Sequence, residues 1–434
     1  MGVEVRGQRG LFDVQDSLDE LARLAHTAGI EVLGRDLQRL DAVHADTYIG
    51  SGKVEQLLQL RGELQFNVLL FDDELSPAQL RNLEKALEIK IIDRTALILD
   101  IFALHARTAE GALQVEMAQY AYRLPRLTHQ WTHLSRQTQG GVGLRGPGET
   151  QLELDRRQIV SRMAQLRDKL DQVRQTRALQ RRRRRRQGLP TVAIVGYTNA
   201  GKSTLLNRLA GAEVLVEDKL FATLDPTTRR VALPSGKEAL FTDTVGFIQK
   251  LPTELVAAFR ATLEEVEEAD VLIHLVDASS PHVLEQIQTV EEVLAGLEMR
   301  DQPIVLALNK VDLLDSEQLE PGSAPSRFVV RRSALDSVRA RHPAAILLSA
   351  AQGLGIDELL TEVEAQLAAQ MTSVDVLLPY QAGDLLNLWR KQGIIDDVRY
   401  EGQGARVRGH LPRWMVDEVL ERAAEVKGQR PTEQ

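Results

Sequence analysis

The sequence has no cysteine, few histidines and no long apolar run. The absence of cysteine among its 434 residues excludes disulfide bonds and thiolate metal sites. Of the nine histidines, only His129 and His133 stand four residues apart, and this single pair does not predict a histidine-based metal centre. No run approaches the roughly eighteen apolar residues that cross a bilayer, and the acidic residues from Glu4 onward give no signal-peptide pattern. We therefore expect a cytoplasmic protein without a membrane span.

The length and charge of the chain indicate several domains with unequal charge. A chain of 434 residues is too long for one nucleotide-binding domain, and a hydrophobic content of 43% supports sizeable cores. The formal net charge of −9 argues against a protein that coats nucleic acid generally. Between Arg145 and Arg186, however, fourteen basic residues stand against five acidic ones. The sequence therefore predicts a basic segment on an acidic body.

A phosphate-binding pattern lies near the middle of the chain. Gly196–Ser203 satisfies G-x-x-x-x-G-K-[ST], directly after the apolar run Val192–Val195 and before a helical pattern. Glycines let backbone N–H groups curl around a β-phosphate, Lys202 supplies positive charge, and the Ser203 hydroxyl can ligate magnesium. The sequence therefore predicts a nucleoside triphosphate site.

The base is indicated by a second motif, Asn309–Asp312, which follows the apolar strand pattern Ile304–Leu308. The Asp312 carboxylate can accept hydrogen bonds from N1–H and the exocyclic amine of guanine, donors that adenine lacks there. Ser349–Ala351, after Ile346–Leu348, completes the predicted guanine pocket. These motifs favour GTP over ATP.

Two further segments fit the γ-phosphate and the metal. Asp243–Gly246 matches D-x-x-G, which places Asp243 to hold magnesium through water and the Gly246 N–H to meet the γ-phosphate. The segment from Phe221 to Thr228 lies where a G protein keeps its first switch. A threonine there must reach magnesium, and residue type alone leaves three candidates: Thr223, Thr227 and Thr228.

The catalytic apparatus departs from that of many GTPases at one position. Phe247 stands where a glutamine often orients the attacking water, and its side chain can neither donate nor accept a hydrogen bond. We therefore expect slow intrinsic hydrolysis that depends on a partner. Asn199 stands where some G proteins use an asparagine to help hold potassium, although asparagine also suits loops.

A long helical hairpin is predicted before the phosphate loop. A heptad-like seam of apolar residues predicts one long helix, and Leu113–Ser135, interrupted by Pro125, supplies its partner. The seam residues are Leu152, Ile159, Met163, Leu166, Leu170 and Val173. Pro147-Gly148 is expected to break the chain before the second helix begins at Glu149-Thr150.

The tip of this hairpin, Gly140–Thr150, is glycine-rich, and Trp131, Arg136 and Arg145 lie close to it in sequence. Contact with folded RNA and a plain mobile loop both remain open for this tip. The run Arg181–Arg186 reads as a solvated tether that could also clamp phosphates.

The ends of the chain read as smaller units. Residues 1–112 predict a small α/β unit, with strands at Val68–Phe71 and Ile89–Ile92 around a helix at Pro77–Leu87. Gly50–Lys53 imitates half a phosphate loop, but Thr47 and Val54 replace its first and last residues, so a second such loop is not expected. The C-terminal part predicts strands at Val374–Leu378 and Ala405–Gly409, and a helix over Gly383–Lys391.

Four segments resemble the HflX family: Tyr48–Lys53, Ile92–Thr95, Gly143–Arg157 and Gly196–Thr204. The resemblance, which covers nearly the whole chain, implies an Obg-type translational GTPase that binds the large ribosomal subunit and its rRNA. It further implies a stress-response role in splitting stalled or idle ribosomes, with the hairpin loop near the peptidyl-transferase centre. It favours Thr223 as the magnesium ligand and accounts for the aromatic residue at position 247.

The predicted fold is α/β: a P-loop G domain with a doubly wound, mostly parallel sheet, preceded by a small α/β domain and a helical hairpin and followed by a small α+β domain. From the N-terminus, the four predicted units span residues 1–112 (small α/β domain), 113–188 (hairpin), 189–368 (G domain) and 369–434 (α+β domain). The predicted catalytic residues are Lys202, Thr223, Asp243 and Gly246, and the predicted metal ligands are Ser203, Thr223 and Asp243. The predicted nucleotide-binding residues are Gly196, Tyr197, Thr198, Asn199, Ala200, Gly201, Lys202, Ser203, Thr204, Phe221, Ala222, Thr223, Leu224, Asp225, Asp243, Thr244, Val245, Gly246, Asn309, Lys310, Val311, Asp312, Ser349, Ala350 and Ala351.

We expect a monomer that acts on ribosomes and hydrolyses GTP with Mg²⁺. A role for K⁺ as a second cofactor is left open. Two alternatives remain. One is a GTPase that marks or assembles the large subunit without splitting ribosomes. The other is a nucleotide-driven RNA-remodelling enzyme that works through residues 1–188, and the incomplete motif at Gly50 counts against it.

Overall fold

The structure is a computed structural model. It describes residues 1–7, 10–129, 147–186, 189–211, 220–221, 223–251, 260–297, 299, 302–315, 335–412, 415–416, 419–420 and 423, with side chains in helix 147–186 limited to 153–173, 175 and 176. Among these residues, no helix is both long enough and apolar enough to cross a bilayer.

The N-terminal part alternates short strands with helices. The elements are β1 (Gly2–Val5), α1 (Val14–Thr27), β2 (Leu37–Leu40), α2 (Ser51–Leu64), β3 (Val68–Phe71), α3 (Pro77–Leu87), β4 (Lys90–Asp93) and α4 (Arg94–His105). Strands β1 and β2 pair in parallel, as do β3 and β4. The Met1 amino group donates to the Leu70 carbonyl at 2.7 Å, which joins the two pairs of strands.

Local signals explain why several of these helices start where they do. Ser76 and Gln79 form a reciprocal capping box before α3, and Pro77 occupies the first helical position, where no N–H is needed. The Asp93 carboxylate accepts from the Ala96 N–H and caps α4. The predicted β3 and α3 match the structure residue for residue, and β4 lies one residue later than predicted.

Two helices of unequal length follow. Helix α5 spans Ala109–Arg123, a 3-10 turn covers Leu124–His129, and α6 spans Pro147–Arg186. The α-helical part of the first predicted partner helix therefore ends before Pro125, because proline cannot donate the next hydrogen bond of the ladder. Pro147 and Gly148 do not precede the second helix but form its first turn, a correction explained by the preference of proline for that position.

The predicted seam of α6 is only partly buried. Leu166 is fully buried, whereas Ile159, Met163, Leu170 and Val173 are half-buried, and the Leu152 side chain lies outside the described part. Arg162 on α6 forms an ion pair with Glu116 on α5 at 2.8 Å. The two helices therefore pack over a short stretch, and much of the 40-residue α6 extends past its partner.

A six-stranded sheet forms the centre of the G domain. Its strands are β5 (Thr191–Val195), β6 (Thr227–Ala232), β7 (Glu238–Asp243), β8 (Val271–Asp277), β9 (Ile304–Asn309) and β10 (Ile346–Leu347). The spatial order is β10-β9-β8-β5-β7-β6, with every pair parallel except β6 and β7. The flanking helices are α7 (Lys202–Leu209), α8 (Arg260–Glu267), α9 (Val283–Ala295) and α11 (Ile356–Ala369), and a short α10 covers Asp312–Asp315. This is the predicted doubly wound, mostly parallel sheet.

The C-terminal part contains a three-stranded antiparallel sheet. It contains β11 (Thr372–Leu378), α12 (Gly383–Gln392), β12 (Ile394–Glu401) and β13 (Gly404–Leu411), with β13 in the centre. Trp389 of α12 is fully buried against this sheet.

The main hydrophobic core runs across the predicted boundary between the N-terminal part and the G domain. Leu21 and Leu24 of α1, Phe102 of α4 and Val115 of α5 belong to the same buried cluster as Phe247 of the G domain. The first switch also enters this core through Phe221 and Leu224. The N-terminal elements therefore pack directly against segments that surround the nucleotide site.

Candidate functional site

The phosphate loop is held open by backbone geometry that glycine permits. Strand β5 ends at Val195, and α7 begins at Lys202 after Gly201, which has a φ of 93°. A Cβ on Gly196 would lie 2.1 Å from the Leu275 carbonyl oxygen, so this close approach excludes any larger residue. Strand, loop and helix therefore follow one another as the motif predicts.

Lys202 lies buried inside this loop. Its Nζ donates to the Gly196 carbonyl at 3.1 Å and to the Tyr197 carbonyl at 2.9 Å. Burial lowers the pKa of Lys202 to about 8, although Asp243 opposes this effect. The ammonium group is therefore poorly compensated, which suits a site that receives an anion.

Three oxygen-bearing side chains converge beside Lys202. The Ser203 hydroxyl lies 2.8 Å from the Thr223 hydroxyl and donates to Asp243 Oδ2 at 2.7 Å. Burial raises the pKa of Asp243 above its ordinary value, and its Oδ1 is buried without a hydrogen-bond partner. Two hydroxyls and one carboxylate with an unused oxygen form a donor set that fits Mg²⁺.

The geometry separates the three threonines that the sequence left as candidates. Thr223 lies at the Ser203–Asp243 cluster, whereas Thr227 and Thr228 belong to β6. The Thr228 hydroxyl contacts that of Thr242 on the neighbouring strand at 3.0 Å. Thr223 is therefore the candidate nearest the other predicted metal ligands.

The segment after Asp243 runs alongside the phosphate loop. Phe247 N–H donates to the Gly196 carbonyl at 3.1 Å, and Thr198 N–H donates to the Phe247 carbonyl at 2.7 Å. A Cβ on Gly246 would lie 2.9 Å from Thr198 Cα and 3.0 Å from Lys202 Nζ. Gly246 therefore brings its backbone close to the lysine.

Phe247 itself contributes to the core and not to the site. Its side chain is 2% exposed and belongs to the cluster shared with the N-terminal helices. The position where many GTPases keep a glutamine is therefore occupied by a packing residue. This agrees with the expectation that the side chain orients no water.

The guanine motif lies at the carboxyl end of β9, next to the phosphate loop. Asn309 Nδ2 donates to the Ala200 carbonyl at 2.8 Å, and its Oδ1 accepts from the Ala350 N–H at 2.9 Å. Asn309 thus joins the phosphate loop to the Ser349–Ala351 segment. Lys310, with a φ of 66°, pairs with Asp277 at 2.9 Å, and Asp312 begins α10.

Asp225 and Phe221, which are both predicted to bind nucleotide, contact the N-terminal part. The Asp225 carboxylate accepts hydrogen bonds from the backbone N–H groups of Arg107 at 2.9 Å and Thr108 at 2.8 Å, and from the Thr108 hydroxyl. These groups lie at the start of α5. Phe221 packs edge-on against Phe102 of α4, with ring centroids 4.6 Å apart.

A buried polar network that the sequence reasoning missed lies behind the phosphate loop. The Tyr197 hydroxyl donates to Glu20 of α1 at 2.6 Å and accepts from the Gln249 N–H at 3.0 Å. Gln249 Nε2 also donates to Ser17 at 3.1 Å. Arg94 is paired with Glu20 and, at 2.8 Å, with Asp72.

The network extends to the segment that follows Asp243–Gly246. Lys250, with a φ of 54°, forms ion pairs at 2.6 Å with Asp72 and Asp73. The only sequence signal was Ile92–Thr95, which contains Arg94 but does not indicate its partners. Long-range pairs of this kind have no periodicity from which they can be read.

Some predicted features lie outside the described residues. These are Ala222, the tip Gly140–Gly146, Trp131, Arg136, Arg145 and the side chains of Pro147, Gly148 and Arg181–Arg186. Asn199 has a φ of 60° in the phosphate loop, and a potassium role for it stays a prediction. Lys53 of the incomplete second motif pairs with Asp36 at 2.6 Å, and Gly50 only precedes α2.

Three family models match successive parts of the chain. Residues 15–103 match a GTP-binding GTPase N-terminal region, residues 105–184 a GTP-binding GTPase middle region, and residues 191–310 a 50S ribosome-binding GTPase.

Curated relatives match over most of the length. The chain is 45% identical to GTPase HflX of Caldanaerobacter subterraneus, with 92% of this chain and 88% of that protein covered. It is 47% identical to GTPase HflX of Magnetococcus marinus, with coverage of 90% and 86%. It is 42% identical to GTPase HflX of Escherichia coli, with coverage of 93% and 91%. The chain therefore belongs to the HflX family of GTPases.

Proposed function

We propose that this protein binds the large ribosomal subunit, hydrolyses GTP there, and splits stalled or idle ribosomes into subunits. The observation that carries the catalytic part is the convergence of Ser203, Thr223 and Asp243 beside the buried Lys202. The ribosomal part is supported by the match of residues 191–310 to a 50S ribosome-binding GTPase. Splitting is the finer step, and it rests on the resemblance to the family.

Each group at the site has a proposed role that follows from its chemistry. Backbone N–H groups of Gly196–Ser203 and the Lys202 ammonium bind the β- and γ-phosphates, and the Gly246 N–H meets the γ-phosphate. Ser203, Thr223 and Asp243 would hold Mg²⁺, which when bound neutralises charge on the phosphoryl oxygens. Asp312 accepts from guanine, while Asn309 braces the loop from the side.

The proposed rate control follows from what the site contains. Phe247 is buried and has no polar group, so it cannot orient water. In the free protein we therefore expect hydrolysis to be slow, because positioning and charge neutralisation are incomplete. Docking on the large subunit would complete the positioning of water and the neutralisation of charge. Asn199 with K⁺ is a candidate for part of the missing charge.

The hairpin is the proposed ribosome-binding arm. Helix α6 is much longer than its partner α5 and ends in Arg181–Arg186. A basic helix suits the phosphate backbone of rRNA, and its contribution to affinity falls with salt. We propose that the protein is a cytoplasmic monomer with four units: an N-terminal unit over residues 1–112, the arm over 113–188, the G domain over 189–368 and a C-terminal unit over 369–434.

Sedimentation of intact ribosomes tests this function. Ribosomes are mixed with the protein and GTP, with GDP, or with a non-hydrolysable GTP analogue, and the fraction of intact ribosomes is measured. Loss of intact ribosomes with GTP or the analogue, but not with GDP, is the expected result. Binding to the large subunit without loss of intact ribosomes would favour the marking or assembly role. Absence of binding would refute the ribosomal assignment.

A further inference from the structure

The contact between Asp225 and helix α5 joins the first switch to the proposed arm. Asp225 accepts from the N–H groups of Arg107 and Thr108 and from the Thr108 hydroxyl. Hydrogen bonds to an ionised carboxylate are stronger than those between neutral groups, and a negative charge is favourable at a helix N-terminus. Asp225 therefore holds the first turn of α5 from outside that helix.

Gly111, in the first turn of α5, leaves space for the Asp225 carboxylate. Gly111 is buried there, and a Cβ on it would lie 2.4 Å from Asp225 Oδ1. Alanine is ordinarily favoured over glycine inside a helix. At this position the absence of a side chain admits the carboxylate. The glycine is explained by the docking of the switch and not by the helix itself.

The same segment carries the predicted magnesium ligand. Thr223 and Asp225 are separated only by Leu224, so their Cα atoms can lie no more than about 7 Å apart. Thr223 lies at Ser203 and Asp243 in the same structure in which Asp225 lies at α5. Leu224 between them is buried in the core shared with α4 and α5. Movement of the threonine away from the phosphates must therefore displace the carboxylate or strain this segment.

We propose that Asp225 is the residue that couples nucleotide state to the position of helix α5. When GTP and Mg²⁺ draw Thr223 into the site, Asp225 docks on Arg107 and Thr108 and fixes the start of α5. After hydrolysis the segment is released and the start of α5 loosens. Through the Glu116–Arg162 pair, α5 transmits this change to α6. That the arm then acts on ribosomes rests on the proposed function, but the coupling itself does not.

Amide hydrogen exchange of the full-length protein tests the coupling without ribosomes. Exchange at residues 107–115 is compared between the GDP-bound protein and the protein saturated with a non-hydrolysable GTP analogue. In the wild type we expect the analogue to slow exchange at least about tenfold, as is typical when hydrogen bonds to a charged group form. Occupancy of the site is verified separately by retention of the analogue.

Two variants approach the contact from opposite sides. Asp225→Ala removes the acceptor, and Gly111→Ala places a methyl group where Oδ1 lies. In both, we expect the analogue to change exchange at residues 107–115 by less than about twofold, because the charged hydrogen bonds are lost. Gly62→Ala is the matched control, since it is also a glycine in a helix and a Cβ there meets nothing within 4 Å. It should behave as the wild type.

The outcomes separate this inference from the proposed function. Wild-type-like protection in both variants, or no nucleotide-dependent protection in the wild type, would overturn the coupling even if large subunits stimulate hydrolysis. Protection that is lost in both variants supports the coupling even if ribosomes have no effect. By mutual linkage, loss of the coupling should also reduce any gain in analogue affinity that large subunits produce.

Discussion

Replacement of Arg94 by methionine tests the idea that the N-terminal part and the G domain are joined by a buried charge network. The Arg94 side chain is 2% exposed and pairs with two carboxylates, Glu20 at 5% and Asp72 at 2% exposure. Methionine keeps much of the apolar volume but leaves both carboxylates buried without their common partner. Breaking a buried pair in this way costs about 3 to 5 kcal/mol of unfolding free energy.

A second arginine of the same region provides the control. Arg39 pairs with Glu4 at 2.7 Å, but the two side chains are 71% and 42% exposed. Arg39→Met should therefore cost no more than about 1 kcal/mol. Urea unfolding followed by circular dichroism, with the midpoints compared, measures both variants. Equal midpoints for the two variants would refute the reasoning, because they would show that burial does not increase the loss of stability when the ion pair is broken.

The effect of Arg94→Met should also depend on pH. Burial tends to raise the pKa of Asp72, but the charges of Arg94 and Lys250 outweigh it and hold the pKa below its ordinary value. The network therefore contributes fully above the unfolded pKa of about 4 and is lost as pH falls through the folded pKa. The difference between wild type and variant should shrink below about pH 4, since protonated carboxyls no longer need Arg94. A difference that grows in acid would contradict this account.

Three further predictions concern the nucleotide and the ribosome. Asp312→Asn should lower the preference for GTP over ATP by at least about a hundredfold in competition binding, because the acceptor of two guanine donors is lost; unchanged selectivity would remove the guanine argument. Burial lowers the pKa of Lys202 to about 8, so GTP affinity should fall as pH rises above that value, by up to about tenfold per pH unit. Calorimetric titration measures this affinity. A constant affinity up to about pH 9 would show that Lys202 stays charged. Replacement of Arg181–Arg186 by glutamine should weaken large-subunit binding more at low salt than at high salt, and an equal loss at both would argue against phosphate contacts.

The nucleotide site could be read from sequence because its chemistry is local. Backbone curvature at Gly196–Ser203 and the polar residues after β7 and β9 belong to short motifs whose spacing is set by strand and helix geometry. The structure places Ser203, Thr223 and Asp243 together, whereas residue type alone left Thr227 and Thr228 as alternatives to Thr223. Strand β3 and helix α3 could likewise be predicted with their observed bounds from local sequence patterns.

The parts that were missed depend on contacts distant in sequence. Strands β1 and β2 are four residues each and carry no clear alternation, so the parallel pairing between Gly2 and Leu37 has no local signal. Helix α2 begins at Ser51, within Gly50–Lys53. This segment resembles half a phosphate loop, and the resemblance does not indicate a helix start. Strand β12 is exposed along much of its length, so no apolar pattern marked it. The partner of Asp225 lies 117 residues away at Thr108.

The stimulation of GTP hydrolysis by large ribosomal subunits tests the central claim most directly. Steady-state phosphate release is measured with the purified protein alone, with large subunits and with small subunits, and Asp243→Asn corrects for contaminating hydrolysis. We predict slow release alone, because Phe247 orients no water, and release at least about a hundredfold faster with large subunits, the scale on which a missing charge-stabilising group acts. Equal rates with and without large subunits would contradict the account.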